Sequence, residues 1–253
     1  MPPIGLHLAT RITALAILAA GLAGCQGVTG IQPAAQVRVI AASPDAPALD
    51  IYQNSPSQAA ASGLYNIGFG TVTSYIPIAS GTYSPAAYNA GTLQQLAQVR
   101  GAFAAGNQYT VLAGNISANL QMAILRDQST PAPAGQIALR FLGQAIRSGP
   151  VDLYLLPPGF SLSGVFPIAA GVGFGSNMGY INAPAGTYSI VAYPAGVAPG
   201  NTPPAFTGTQ IAYPATSVRT ILLIDQQRPD PQPEATHSGL QIITANDYDP
   251  SAS

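Results

Sequence analysis

The sequence predicts an all-β protein, with two tandem β-sandwich domains behind an N-terminal signal peptide. Three observations predict this class. One stretch of the chain is repeated, apolar residues alternate with a period of two, and 27 Gly and 24 Pro interrupt the chain at short intervals. Alternation is typical of half-buried strands, and such frequent interruption leaves little room for helices. About seven short strands per hundred residues favour a sandwich.

The repeat defines the domain organisation. Residues 66–91 and 171–196 align without a gap, and the shared motifs are Gly68-Phe69-Gly70 with Gly173-Phe174-Gly175 and Gly81-Thr82-Tyr83-Ser84 with Gly186-Thr187-Tyr188-Ser189. Upstream, Val37-Arg38-Val39-Ile40 aligns with Leu139-Arg140-Phe141-Leu142, and Leu49-Asp50-Ile51-Tyr52 with Val151-Asp152-Leu153-Tyr154. Self-similarity of this kind indicates a duplicated structural unit. The predicted segments are a signal peptide 1–24, a lipidated tether 25–35, a first repeat 36–128, a linker 129–135, a second repeat 136–245 and a C-terminal tail 246–253.

Two local features are also predicted within the repeats. We expect Gly81 and Gly186, which precede Thr-Tyr strands, to supply a turn with positive φ. The segment Thr92–Ala105 is the one stretch of the repeats that could be read as helical.

The N-terminus carries an export signal. Arg11 precedes the apolar stretch Ile12–Leu22, which has signal-peptide length and is too short to span a bilayer. Leu22-Ala23-Gly24-Cys25 then resembles the lipobox of bacterial lipoproteins, and Cys25 is the only cysteine. We expect lipid on Cys25 and a cell-envelope location. The alternative is an ordinary secretory signal with an incidental cysteine. Gln26, directly after Cys25, matches the pattern that sorts Gram-negative lipoproteins to the outer membrane. The protein could then lie on the periplasmic or the surface face of that membrane.

Composition excludes several classes of function. Charged residues make up 7% of the chain, against roughly 25% in soluble domains, so there is no clustered basic surface for nucleic acid. Beyond Cys25 the chain has one histidine, His237, and one glutamate, Glu234, both in a segment that looks like a loop. No pattern supplies a catalytic triad, a metal site or a cofactor site. We therefore expect no enzymatic activity.

Two charged pairs recur in the repeats. Arg38 and Asp50 are twelve residues apart, as are Arg140 and Asp152. Alternation directs these side chains away from the inner face of each sandwich. We interpret them as structural pairs, an ion pair or a backbone hydrogen bond at the sheet surface, worth at most about 1 kcal/mol if exposed. A ligand-binding pair is the other interpretation. A simple hairpin would place Arg38 opposite a residue near Gln53, so the pairing stays open.

Three further motifs have structural interpretations. Ser43-Pro44-Asp45-Ala46-Pro47 has the composition of a tight turn, and one acidic residue is too few for a calcium site. The stretch Gly171–Gly179 resembles a phosphate loop but lacks the following Lys and helix, so we read it as a turn. Asp247 and Asp249 could bind a cation, but a flexible tail is the preferred interpretation.

The stretch Val37–Tyr52 closely resembles the opening of the domain-of-unknown-function 4397 family, which continues with G-F-G and G-T-Y motifs. The second repeat keeps Asp152-Leu153-Tyr154 and the two later motifs but has lost the S-P-D-A-P segment. The resemblance implies an immunoglobulin-like or related sandwich in a secreted or cell-surface protein, often a lipoprotein, with no established activity. Ala41 stands where the family often has His, so any role of that His is absent here.

The leading functional interpretation is a lipid-anchored, non-catalytic binding or structural module whose partners are the membrane and envelope proteins or glycans. The alternative is a surface adhesin or glycan-binding protein, and an enzyme ranks third. The 12 tyrosines distinguish these. A glycan binder should expose Tyr75, Tyr88, Tyr180 and Tyr193 side by side, because Tyr is enriched on binding faces, whereas a scaffold should bury them. We expect core packing.

Overall fold

A computed structural model describes residues 34–54, 63–200, 202–226 and 239–249 of the chain. These residues are all-β, as the sequence predicts, and their one helical element is a short 3-10 helix, Ser117–Asn119. No helix in the described ranges has the length and apolar character needed to cross a membrane. The predicted signal peptide, Cys25, Glu234 and His237 lie outside the described residues.

The first half of the protein, residues 34–128, contains ten strands. They are β1 Ala35–Ala41, β2 Leu49–Tyr52, β3 Gly63–Ile67, β4 Ile76–Ile78, β5 Gly81–Tyr83, β6 Ala86–Asn89, β7 Gln95–Gln98, β8 Gly101–Phe103, β9 Gln108–Gly114 and β10 Gln121–Asp127. One sheet has the order β10-β9-β1-β4, a second has the order β3-β2-β6-β7, and β5 pairs with β8.

The second half, residues 136–249, repeats this arrangement over nine described strands. They are β11 Gln136–Gly143, β12 Val151–Leu156, β13 Ala169–Val172, β14 Asn177–Pro184, β15 Gly186–Pro194, β16 Phe206–Thr207, β17 Ile211–Tyr213, β18 Val218–Asp225 and β19 Leu240–Tyr248. One sheet has the order β14-β11-β18-β19 and the other β13-β12-β15-β16, with β17 also pairing with β15. In each half the first strand runs parallel to the penultimate one, β1 to β9 and β11 to β18.

Each half buries an apolar core between its two sheets. In the first half, Val37 and Val39 of β1 and Val111 of β9 face Leu49 and Ile51 of β2. In the second half, the corresponding core contains Leu139, Phe141, Leu153, Ile190 and Ile221, among others. Face-to-face packing of two sheets over such a core is a β-sandwich, which confirms the predicted fold class.

The two sandwiches also pack against each other. The sheets that contain β1 and β11, called here the inner sheets, turn their second faces together. The side chains that meet are apolar residues of both halves: Ile40, Ala42, Leu112, Leu142, Leu222, Ile224 and Ala245. Strands β1, β9, β11 and β18 are therefore buried on both faces, not half-buried as predicted, and Ala34–Ser253 forms one compact unit.

Gly81 and Gly186 do not have positive φ, so that expectation is wrong. They begin strands β5 and β15, and the Tyr two residues later packs over each glycine. A Cβ on Gly81 would lie 3.4 Å from the Tyr83 ring, and one on Gly186 would lie 3.1 Å from the Tyr188 hydroxyl. The two hydroxyls donate hydrogen bonds to backbone carbonyls four residues upstream, of Ala79 at 2.9 Å and of Pro184 at 3.1 Å. The glycines make room for these rings.

Two segment predictions are also corrected. Thr92–Ala105 is not helical, because it contributes strands β7 and β8. The predicted tail from residue 246 is in fact the end of strand β19, which continues to Tyr248 and buries Asp247. The strand continues because Asp247 has partners in the interior, as the next subsection shows.

Candidate functional site

A buried polar cluster lies between the two inner sheets. Arg38, on β1, is 1% exposed and reaches across to the second half. Its guanidinium donates to the carboxylate of Asp247 and, at 2.8 Å, to the backbone carbonyl of Asn246. Its Nε donates to the Thr110 hydroxyl, also at 2.8 Å. Arg38 of the first half is thus paired with the last strand of the second half.

The reciprocal contacts are made by Arg140 on β11. Its guanidinium donates to the carboxylate of Asp127 at 2.5 Å and to the backbone carbonyl of Arg126 at 3.1 Å, both at the end of β10. Its Nε donates to the Thr220 hydroxyl at 3.0 Å. Each half therefore contributes one arginine and one aspartate, and each arginine is bound by the aspartate of the other half.

Threonine and tyrosine hydroxyls complete the hydrogen bonding of both carboxylates. Thr110 and Tyr75 donate to Asp127 at 2.6 and 2.7 Å. In the second half, Thr220 and Tyr180 donate to Asp247 at 2.6 and 2.8 Å. The guanidinium carbons lie 4.7 Å from the Tyr75 ring centre and 4.9 Å from the Tyr180 ring centre, close enough for cation–π attraction. The cluster is satisfied on every side, as a buried ionic network must be.

Burial sets the protonation of this cluster. It raises the pKa of Tyr75 well above its usual value, with Arg38 opposing and Asp127 adding to the effect. It likewise raises the pKa of Tyr180, to which Asp247 adds. Burial also raises the pKa of Asp247, against the lowering effect of Arg38. The phenols therefore stay protonated at neutral pH and donate hydrogen bonds to the two carboxylates.

Arg38 does not bind Asp50, nor Arg140 Asp152, and all four residues are buried instead of lying at a sheet surface as expected. Asp50 accepts hydrogen bonds from the backbone amides of Asn66 at 2.8 Å and Gly91 at 2.9 Å. Asp152 accepts from Gly171 and Gly196 at the same distances. The backbone hydrogen bond that the sequence left open is thus the observed one. The aspartates face loops beside the sheets that contain β2 and β12, called here the outer sheets, whereas the arginines face the other half.

The predicted turn motifs form loop structure, although β13 and β14 include the two ends of Gly171–Gly179. Asp45 accepts the backbone amide of Ser117 at 2.9 Å, so it holds loop structure. Gly70 and Gly175, which both have positive φ, donate their amides to the carbonyls of Ala41 and Gly143 at 2.8 Å. The two Gly-Phe-Gly segments therefore close turns against the ends of β1 and β11.

The repeated tyrosines are not exposed side by side. Tyr88 and Tyr193 are buried, and Tyr75 and Tyr180 are half-buried with their hydroxyls in the polar cluster. Tyr88 packs edge-on against Tyr52 at 5.4 Å, and Tyr193 against Tyr154 at 6.0 Å. This is the outcome that the sequence analysis assigned to a scaffold.

A groove of about 430 Å³ lies on the outer sheet of the second half. It is lined by apolar residues and by the hydroxyl side chains of Ser161, Ser163 and Thr207. Its volume is within the range of small-molecule sites, about 300–1,000 Å³. The groove contains no charged residue, because none occurs between Asp152 and Arg219. Within the described residues no group of three His, Cys, Asp or Glu could hold a metal ion.

The roles of Asp127 and Asp247 were not predicted from the sequence. The signal was present, since Thr110 and Thr220 align at matching positions of the repeats, as do Tyr75 and Tyr180. Asp127 is the last residue and Asp247 the second-last residue of the final strand of each half. Because the downstream loops differ in length, the two aspartates fall outside the ungapped alignment.

These observations define a β-sandwich protein whose two halves share one strand order and one buried polar network. Residues 35–154 match the model of a family described as Domain of unknown function (DUF4397), which supports the resemblance for that segment. The match covers the first half together with β11 and most of β12.

No curated protein matches the chain. Among solved structures, a crystal structure of a candidate cell adhesion protein from Bacteroides fragilis is 7% identical, with a TM-score of 0.18. That comparison covers 84% of this chain and 97% of the other. A likeness at this TM-score supports no statement about function.

Proposed function

We propose that this chain is a non-catalytic protein of the bacterial cell envelope, anchored by lipid on Cys25 and acting as a binding or structural module. The main observation in support of the proposal is that the buried charged side chains bind other groups of the protein. Arg38, Arg140, Asp127 and Asp247 join the two halves, while Asp50 and Asp152 hold loop amides. The buried polar side chains of both halves thus stabilise the fold. We expect binding partners to contact the protein surface instead.

The shared strand order supports a second part of the proposal, that the halves are tandem copies of one unit. Corresponding arginines, threonines, tyrosines and aspartates make corresponding bonds in the two halves. A duplicated gene segment accounts for this correspondence directly.

Lipid anchoring is tested by metabolic labelling with a fatty-acid probe in cells that express the full chain. The expected result is labelled wild-type protein and an unlabelled Cys25→Ala variant that is unprocessed or soluble. Ser129→Ala, in the linker, is the matched control and should be labelled like the wild type. Unchanged labelling of Cys25→Ala would refute the anchor.

The proposed outer-membrane location depends on Gln26. In a Gram-negative host, we expect Gln26→Asp to move the labelled protein from the outer-membrane to the inner-membrane fraction. The same distribution for both proteins would count against sorting through this position.

A surface adhesin or glycan-binding protein is the second candidate, and the uncharged groove favours it. Hydroxyl groups beside apolar residues suit an uncharged, polyhydroxylated ligand. On a glycan array, Ser163→Trp should fill the groove and abolish any binding shown by the wild type, while Ser80→Trp on the first half should not. Binding that survives Ser163→Trp would exclude the groove.

A further inference from the structure

The loop between β12 and β13, residues 157–168, is built to present apolar side chains. It begins with two β-turns, in which Phe160 donates its amide to the Pro157 carbonyl at 3.3 Å and Val165 to the Leu162 carbonyl at 3.1 Å. Gly159 and Gly164 hold these turns with φ of 75° and 73°, a conformation that other residues rarely adopt. The residue after each glycine is apolar.

Three apolar side chains of this loop face solvent. Phe160 is 71% exposed, Phe166 90% and Val165 43%. The loop is nevertheless fixed, because Leu162 between the two turns is buried in a cluster with Tyr154, Val191 and Tyr193 of the outer sheet. Burial of exposed aromatic side chains lowers the free energy, so such side chains on a fixed loop indicate a surface that binds a partner.

The chemistry of the surroundings narrows the type of partner. No Asp, Glu, Lys, Arg or His occurs between Asp152 and Arg219, and the loop lies within that stretch. Inserting it into an apolar phase therefore removes no charge from water. The loop itself offers no charge to an anionic or cationic partner.

The loop lies at the same end of the molecule as the start of β1, which favours a lipid bilayer as its partner. Strand β1 begins beside the end of β10, because both pair with β9 at Gln108. In the second half, β11 likewise begins beside the end of β19, because both pair with β18 at Val218. Asp127 and Asp247, at these two ends, bind the arginines of the opposite halves, so β1 and β11 begin at the same end of the molecule. The last residue of β12, Leu156, pairs with Ser189 near the start of β15, which follows β14 at this same end. The loop therefore leaves its sheet at the end of the molecule where Ala35 begins β1. Ala34 is nine residues after Cys25, a reach of about 30 Å.

We infer that Phe160, Val165 and Phe166 insert into the lipid bilayer that holds the acyl chains of Cys25, as a second membrane contact. The inference rests on the proposed lipid anchor. The acyl chains on Cys25 hold the protein at the membrane, so the loop stays close to the bilayer at high effective concentration and a weak contact is enough to insert it. The contact fixes the orientation of the sandwich unit on the membrane.

The test uses the natural lack of tryptophan in this chain. Full-length, lipidated Phe166→Trp is reconstituted with phosphatidylcholine vesicles whose acyl chains carry bromine, a quencher of tryptophan fluorescence. The matched control is Leu93→Trp. Leu93 is 80% exposed and follows β6, at the opposite end of the molecule, where Asn89 pairs with the first residue of β2. Flotation of each protein with the vesicles reports the anchor separately.

We expect both proteins to float, with blue-shifted and quenched emission from the tryptophan at position 166 and solvent-like, unquenched emission from the one at position 93. Flotation with unquenched emission at position 166 would overturn the inference and leave the anchor intact. A blue shift without vesicles that grows with protein concentration would assign the loop to a second copy instead. Failure of both proteins to float would overturn the anchor, and the inference with it.

Discussion

The burial of charged side chains shows which residues have structural roles in this protein. Charged residues make up only 7% of the chain, and several of them are in the interior. Arg38 and Arg140 are each 2% exposed or less, and each has carboxylate, hydroxyl and carbonyl acceptors. Removing one partner of such a pair leaves a buried charge without compensation, which typically costs about 3–5 kcal/mol. The arginines are therefore structural residues of the interface.

The first prediction concerns the phenols of this network. Their pKa is raised in the folded protein, so the native state retains two protons that the unfolded chain loses above about pH 10. Stability from Tyr75 and Tyr180 is thus fully present below pH 10 and is lost as pH rises further. In an alkaline titration followed by tyrosinate absorbance, these two phenols should ionise last, together with unfolding.

The control for that titration is the double variant Tyr75→Phe/Tyr180→Phe. Its total absorbance change should be smaller by the contribution of two of the 12 tyrosines, and the whole decrease should fall in the late phase. Ionisation of all wild-type tyrosines near pH 10 without unfolding would contradict the assignment.

Among the elements, the strands show what a sequence pattern can and cannot predict. Alternation correctly placed Val37 and Val39 in the core of the first sandwich. It did not show where Ile40 and Leu142 go, because their partners are in the other half. The runs Val37–Ala42 and Ala138–Leu142 are nearly continuous apolar segments, interrupted only by the arginines. Such runs are typical of strands buried on both faces, and this was the signal for the second interface.

The second prediction exploits a difference between the two cores. The first sandwich has a cavity of about 50 Å³ lined by Val37, Val39 and Val111, among other apolar residues. The residues that correspond to Val37 and Val39 are the larger Leu139 and Phe141, both fully buried. We expect Val39→Phe to fill this space and leave the free energy of unfolding within about 1 kcal/mol of wild type or above it.

The reciprocal change, Phe141→Val, should lower the free energy of unfolding by about 2–3 kcal/mol, because it opens a cavity in a filled core. Denaturant unfolding of both variants measures the comparison. A loss from Val39→Phe as large as that from Phe141→Val would show that the first core cannot accept the larger ring.

For the whole molecule, the sequence predicts the two similar halves but not their reciprocal bonding. Which aspartate meets which arginine depends on how the inner sheets pack, and no local pattern encodes that arrangement. The spacing of twelve residues between Arg38 and Asp50 was misleading for this reason. Shared elements were predictable from the repeat, whereas contacts between the halves were not.

The central claim is that Arg38 and Asp247 join the two halves. It is tested by a double-mutant cycle with Arg38→Met and Asp247→Asn, compared with a cycle of Arg38→Met and Asp50→Asn, using the free energy of unfolding. We expect a coupling energy of about 1–3 kcal/mol for Arg38 with Asp247, and additivity within about 0.5 kcal/mol for Arg38 with Asp50. Additive effects of Arg38→Met and Asp247→Asn would contradict the account.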